Sequence, residues 1–321
     1  MTPETGAVGP VENHRGREEG VLVYPVYSRR SRGLSVGINL FPDRKTCSFD
    51  CPYCEVFPFQ GAAAFSLEGL EAELPPILTG AKERGLPVRD LCFSGNGEPT
   101  MSPAFPAALE CAARFRNTLA PEAALVLITN GTGLLKKETF DFLRRAAAAW
   151  ALRIWLKLDA GTEDWYRLVN SSAVPFTALT GKIRDFVRLA PVIIQTMVCS
   201  INGRPPPDSE AAAWEKLALE LASAGTASVP VPAASPTAVL PAAVLTTGVP
   251  APGKNAASGN VAPGVRGFQI YGKARPAPRD PLAEALPPAF LEARAASLRA
   301  SLAAAGIRAP DGAEIPVEVF P

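Results

Sequence analysis

Three of the chain's six cysteines, Cys47, Cys51 and Cys54, fall within eight positions in KTCSFDCPYCE (45–55). Thiolates at this density can close a disulfide, hold zinc, form a redox pair or ligate an iron–sulfur cluster, and the surrounding residues separate these options. A closed zinc site takes four ligands. This stretch offers three thiols and no histidine, so zinc would need a distant cysteine. CPYC (51–54) has a redox spacing, but no helix signal follows Cys51, and the third cysteine is surplus to a two-thiol couple. Soft thiolates favour iron–sulfur chemistry, and three of them leave the fourth iron of a 4Fe-4S cluster open to a small molecule.

The only histidine, His14, lies in a Gly-, Glu- and Arg-rich stretch near the start. Catalysis by a Ser-His-Asp triad or a Cys-His pair needs an imidazole held in a packed cleft, so both are disfavoured. The balance of 32 Lys and Arg against 31 Asp and Glu gives no bulk charge from which a nucleic-acid or membrane partner can be argued. No apolar leader opens the chain, and no apolar window reaches the roughly 18 residues of a membrane span. The expectation is a cytoplasmic protein with reduced thiols. Cys92, Cys111 and Cys199 form no compact motif and read as buried, inert thiols.

The elements that must position the cysteines alternate. Apolar runs at 34–41, 88–95, 124–131, 153–160, 191–199 and 265–272 read as strands, and amphipathic segments with a 3.6-residue period lie between them. Alternation of this kind predicts parallel strands joined by right-handed helical crossovers, in an open doubly wound sheet or a partial barrel. The cysteines follow the first of these strands, on the side where parallel-strand folds build their sites. One segment breaks the rhythm. Residues 226–264 are rich in Ala, Pro and Gly with Lys254 as the only charge, which predicts a disordered low-complexity insertion.

The cysteine spacing, with the aromatic Tyr53 before the third thiol, resembles the signature of the radical S-adenosylmethionine (SAM) superfamily. FSGNGEPT (93–100) is similar to the Gly-Gly-Glu motif of that superfamily, and LITNGT (127–132) and KLDAGTEDWYRLVN (157–170) follow in the expected order. The runs VYSRRSRGLSVGINLFPDRKTC (26–47) and IIQTMV (193–198) resemble a branch of Fe-S oxidoreductases related to the wyosine-base synthases of tRNA. The resemblance implies an α/β fold, a partial (β/α)6 TIM-like barrel. It divides the chain into a mobile segment 1–20, a barrel formed by 21–225 and 265–310, the insertion 226–264 and a C-terminal tail 311–321.

It also implies a chemistry. Cys47, Cys51 and Cys54 would hold a 4Fe-4S cluster whose open iron binds SAM, and one electron from a flavodoxin or ferredoxin would cleave SAM to a 5'-deoxyadenosyl radical that abstracts hydrogen from a substrate. Tyr53 would pack on the adenine, Gly95 and Gly97 would let the backbone approach, and Glu98 would accept from the SAM ammonium. Lys157 would meet the carboxylate and Asp159 the ammonium or ribose, with Asn130 and Gln195 as further polar contacts.

Each of these residues also has a purely structural reading: a tight turn at GNGEPT, a turn at Asn130-Gly131 and an internal Lys157–Asp159 ion pair. Arg29, Arg30 and Arg32 are either a solvated edge or an anion-binding fork. NSSAVP (170–175) departs from the Asn-Arg-Pro of the relatives, and the second cysteine set of wyosine synthases is absent. That reaction therefore does not transfer, and the substrate, whether small molecule, RNA or partner protein, stays open. A glycyl-radical activase, a tRNA-modifying relative and a non-catalytic iron–sulfur or SAM-binding protein are the alternatives.

Overall fold

The computed structural model describes residues 21–56, 58–225 and 262–321. Strands β1 (Val23–Ser28), β2 (Gly33–Ile38), β3 (Val88–Phe93), β4 (Ala124–Thr129), β5 (Arg153–Lys157), β6 (Pro191–Met197), β7 (Gly264–Tyr271) and β8 (Val317–Phe320) form one sheet in strictly consecutive order. β1 pairs antiparallel with β2, and every later pairing is parallel. A doubly wound sheet requires a reversal of strand order to place helices on both faces. Consecutive order with one-handed crossovers keeps all helices on one face instead, and the sheet curls into a half-barrel. That settles the choice which periodicity alone leaves open.

The outer layer comprises α1 (Leu67–Glu83), α2 (Phe105–Leu119), α3 (Lys137–Trp150), α4 (Glu163–Val169), α5 (Phe176–Val187), α6 (Asp208–Ala224) and α7 (Pro288–Ala304). Alternate strand residues such as Val36, Ile38, Leu91, Phe93, Leu125, Leu127, Ile154 and Leu156 pack outward into the main core with these helices. The residues between them point inward, where Cys92, Val126 and Trp155 form a second, smaller cluster. Both faces are covered, which is why the strands read as near-continuous apolar runs. Helix starts follow local chemistry: the Ser66 hydroxyl accepts from the Gly69 N–H to open α1, and the Thr162 hydroxyl accepts from the Trp165 N–H to open α4.

Four elements escape the periodicity analysis, α7 among them. β1 lies in the lead-in to the cysteines, α4 is a seven-residue helix inside the loop after β5, and β8 falls in what is expected to be a tail. The tail assignment for 311–321 is corrected, since Val317–Phe320 pair with Phe268–Tyr271 of β7. Four residues are too few to show a period, and the strand forms because β7 offers an open edge. The segment 1–20 and residues 226–261 of the expected insertion lie outside the described residues. The flanking Gly225 and Gly264 are in direct contact, so the insertion leaves and rejoins the fold at one point between α6 and β7.

α6 is seated on the loop that carries the site residues after β5. A β-carbon at Gly161 would overlap the backbone nitrogen of Trp214, while Glu210 accepts from the Gly161 N–H (2.5 Å) and the Thr162 hydroxyl (2.6 Å). Backbone cannot give way as a side-chain tip can. Gly161→Ala is expected to destabilise the protein by about 1–3 kcal/mol, the usual cost of overpacking, and chemical denaturation with far-ultraviolet circular dichroism reads it directly.

Candidate functional site

The site forms at the C-terminal mouth of the half-barrel, on the loop between β2 and α1. The first tether of this loop is backbone to backbone. Thr46 donates its N–H to the Asn96 carbonyl (3.0 Å), and its own carbonyl accepts from the Glu98 N–H (2.8 Å), so the loop pairs like a short strand with GNGEPT. A β-carbon at position 97 would overlap the Thr46 carbonyl oxygen, and only glycine lets the two chains meet. Gly95 takes φ +128° beside the side chain of Asn39. The close approach expected of Gly97 is therefore to the cysteine loop itself, although both glycines also border the cavity described below.

Side chains fix the rest of the loop. The Asn130 amide donates to Ser48 Oγ (2.9 Å) and lies 3.6 Å from Cys47 Sγ, while the Asn170 amide lies 3.5 Å from Cys51 Sγ and donates to Asp159 (2.9 Å). Asn170 also accepts from the Asp50 N–H through its carbonyl (3.0 Å), and Phe49 packs edge-on to Tyr166 of α4 (5.6 Å). The Ser172 hydroxyl donates to the Ser48 carbonyl (3.3 Å). Thus NSSAVP, the segment that departs from the relatives' pattern, still holds the cysteine loop through Asn170 and Ser172. Asn39, whose Oδ1 accepts from the N–H of Phe41 and of Asn96, ties the end of β2 to the same loops.

Burial dominates the thiol chemistry. It pushes the Cys47 thiol up to about 12 against an ordinary 9.0, and Cys51 up to about 11 despite the opposing field of Lys157. A redox pair needs a lowered thiol pKa at its nucleophile, and Cys51 has the reverse. Cys92, Cys111 and Cys199 are all buried, and burial also lifts Cys199 to about 12.

Beside the loop stands a buried polar cluster. Tyr53 donates its hydroxyl to Asp159 Oδ2 (2.5 Å), the Met197 N–H donates to Asp159 Oδ1 (2.9 Å), and Lys157 Nζ lies 3.4 Å from the same carboxylate. Lys157 also donates to the Tyr271 hydroxyl (2.5 Å) and sits over the ring of Tyr53 (4.9 Å). Burial works against the Lys157 charge, but Asp159 and Tyr271 more than compensate and hold its pKa above the ordinary value. Burial, reinforced by Asp159, holds the Tyr53 hydroxyl well above 10, which keeps it a donor.

The structure divides the expected cofactor contacts into two groups. Tyr53, Gly95, Gly97 and Lys157 line a cavity of about 280 Å³ inside the half-barrel. Glu98, Asn130, Asp159 and Gln195 are buried and engaged with protein. Glu98 accepts from the Thr100 N–H and hydroxyl, the Thr129 hydroxyl and the Asn130 N–H at 2.7–3.1 Å, so it pins GNGEPT to the end of β4. Burial raises its pKa and these donors pull it back. Gln195 accepts from Arg30 (3.1 Å) and donates to Gln269 (2.6 Å). Sequence reasoning misses Asn39, Asn170 and Tyr271. Only Asn170 carried a signal, as the polar residue heading a segment already marked as unusual.

Among the described residues no three His, Cys, Asp or Glu groups converge on one point as a single ion requires. A cubane asks for something else, since each thiolate binds its own iron. Three thiols spread over one tethered loop, with amide donors aimed at two of the sulfurs, fit that requirement.

The half-barrel is shared with solved structures. The chain superposes on a radical SAM methyltransferase from Sphaerobacter thermophilus with a TM-score of 0.56 at 12% identity, covering 92% of this chain and 68% of that one. It superposes on SuiB of Streptococcus suis bound to its precursor peptide SuiA with a TM-score of 0.55 at 12% identity, covering 90% of this chain and 51% of that one. Identity this low establishes the fold alone. Two curated sequences named UPF0026 protein, from Helicobacter pylori strains ATCC 700392 / 26695 and J99 / ATCC 700824, match at 34% over 94 residues and 31% over 84 residues. The matched stretch spans 27% and 26% of this chain, and 29% and 27% of those relatives. No family model matches the chain.

Alkylation with iodoacetamide at neutral pH, mapped by peptide mass spectrometry, checks the thiol environments. Cys54, half-buried and facing the cavity, is expected to label first in protein purified without iron, with Cys51 and Cys199 at least tenfold slower because burial suppresses their thiolates. Gly97→Ala is expected to release the Thr46 pairing and make all three loop cysteines label at similar rates.

Proposed function

We propose that this protein is a radical SAM enzyme, an Fe-S oxidoreductase in which Cys47, Cys51 and Cys54 hold a 4Fe-4S cluster and the adjoining cavity holds SAM. The observation that carries the reading is the tethered three-cysteine loop closing the C-terminal mouth of a half-barrel, directly over a cavity lined by Tyr53, Cys54 and Lys157. When bound, the cluster supplies one electron, delivered by a flavodoxin or ferredoxin, that cleaves SAM to methionine and a 5'-deoxyadenosyl radical.

The protein's own part is positioning and exclusion of water. Cys54 and Tyr53 face the cavity from the cluster side. Lys157 presents an ammonium whose charge Asp159 and Tyr271 sustain, suited to a carboxylate of the cofactor. Asp159, with its oxygens already taken by Tyr53, Asn170 and Met197, orients Tyr53 and Lys157 rather than meeting SAM through a free oxygen. Glu98 and Asn130 hold the cysteine loop in register with β4. The relation to wyosine-base synthases rests on sequence runs alone, and it proposes no tRNA reaction. No helix among the described residues is long and apolar enough to cross a membrane, and the reading places the enzyme in the cytoplasm.

Anaerobic reconstitution with iron and sulfide, followed by dithionite and SAM, is expected to yield 5'-deoxyadenosine. An intact cluster without that product would overturn the radical reading and leave an iron–sulfur or SAM-binding protein. Cys51→Ala is expected to abolish both the cluster absorbance and the product. Asn170→Ala, which removes the amide beside Cys51 Sγ and a donor to Asp159, is expected to lower iron retention about 10- to 100-fold, as loss of an outer-shell partner does.

A further inference from the structure

The inner wall of the cavity carries four basic side chains, and three of them already have a partner. Lys157 pairs with Asp159 (3.4 Å), Arg275 pairs with Glu55, and Arg29, at the exposed rim, donates to an oxygen of Pro321. Arg30 differs. It enters from the turn between β1 and β2, with its guanidinium carbon 4.9 Å from the centre of the Tyr271 ring and 5.7 Å from that of Trp155. Its one hydrogen bond to the protein is to Gln195 Oε1 (3.1 Å), and Gln195 is itself held by Gln269 (2.6 Å). Among the described residues no carboxylate lies within ion-pair distance of it. The inward-facing Asp90 accepts from the Ser35 hydroxyl (2.5 Å) and feels the charges of Arg153 and Arg30 only from beyond ion-pair distance.

A half-buried cation held between two aromatic rings, with one of its five N–H donors used, is electrostatically unfinished. Contact with ring faces leaves the planar edge of the guanidinium available for a two-pronged bond to an anion. The Gln195–Gln269 pair fixes that edge before any ligand arrives. Tyr271 joins the two ends of the cavity, since its hydroxyl takes Lys157 on the cofactor side and its ring carries Arg30. We propose that Arg30 is the substrate anchor of this site, and that the substrate is a small molecule bearing a carboxylate or phosphate group, with an apolar or aromatic portion against Trp155 and Tyr271. This rests on the radical SAM reading for the word substrate, while the anion site itself does not.

Binding is tested on the reconstituted protein, without reductant, by calorimetry and by the change in tryptophan fluorescence, Trp155 being the one of the four tryptophans that lines the cavity. The probes are benzoate, phenyl phosphate and the uncharged benzyl alcohol. At least one of the two anions is expected to bind tenfold or more tightly than benzyl alcohol, and whichever is tighter tells a carboxylate substrate from a phosphorylated one. Arg30→Gln is expected to abolish that preference and Arg30→Lys to restore part of it, with SAM affinity unchanged in both.

Equal binding of the anions and the alcohol in the unsubstituted protein would overturn the assignment without relying on a variant. So would an anion preference that survives Arg30→Gln, or a loss of SAM affinity in that variant. Loss of charge discrimination with 5'-deoxyadenosine formation intact removes the anionic substrate alone. Charge discrimination in a protein that fails to cleave SAM removes the reaction alone.

Discussion

The mouth of this half-barrel depends on the buried carboxylate of Asp159. It accepts from Tyr53 on the cysteine loop, from Asn170 after α4 and from the Met197 N–H at the end of β6, and it neutralises Lys157 at the end of β5. A buried charge is tolerated only when paired and hydrogen-bonded, so these four elements are held in one arrangement by the energetic cost of leaving Asp159 unsatisfied. Glu98 does the same on the other side, where four donors from GNGEPT and the end of β4 converge on it. Two carboxylates thus clamp the cysteine loop from opposite flanks.

This division of labour explains why the polar residues of the motifs are so fully engaged with one another. The loop supplies three thiols at fixed spacing in sequence, but spacing alone does not place sulfurs in space. Asn130 and Asn170 translate the positions of β4 and α4 to Cys47 and Cys51, and the Thr46 backbone against Gly97 sets the height of the loop above the sheet. Because Lys157 lies on the cysteine side of Tyr271 and Glu55 pairs with Arg275, the electrostatic character of the deeper cavity falls to Arg30. The inner face is otherwise apolar at its centre, with Cys92, Val126 and Trp155 in contact.

Much of this was legible in the sequence. Strands β2 to β7 and five of the helices lie where the apolar periodicity places them, and the cysteine loop follows β2 as expected. β8 was not legible because four residues show no period and their pairing depends on an edge supplied by distant β7. The protein partners of Glu98, Asp159 and Gln195 are hidden in the sequence for a related reason. A sequence shows that a carboxylate or amide stands in a motif, but not which donors the fold brings to it, and Thr129 and Met197 lie 31 and 38 residues from the groups they serve. Arg30 was legible only as one of three arginines with two equal readings. The fold separated them: Arg32 pairs with Glu318 at the surface (2.7 Å), Arg29 stays at the rim and Arg30 turns inward.

The raised thiols bring the argument back to the cysteines. Burial raises the Cys47 thiol to about 12 and the Cys51 thiol to about 11, so a metal bound at these sulfurs would displace a proton from each. The same burial that makes these thiols poor nucleophiles makes the thiolates, once formed, strong ligands in a low-dielectric setting. The amides of Asn130 and Asn170 stand where a charged sulfur would need a donor and a neutral one gains little from it. On the proposed reading the loop suits charged sulfurs, and its position is set mainly at Thr46, Ser48 and Asp50, the residues beside the cysteines, whose backbone and side chains are tied to Asn96, Glu98, Asn130, Asn170 and Ser172.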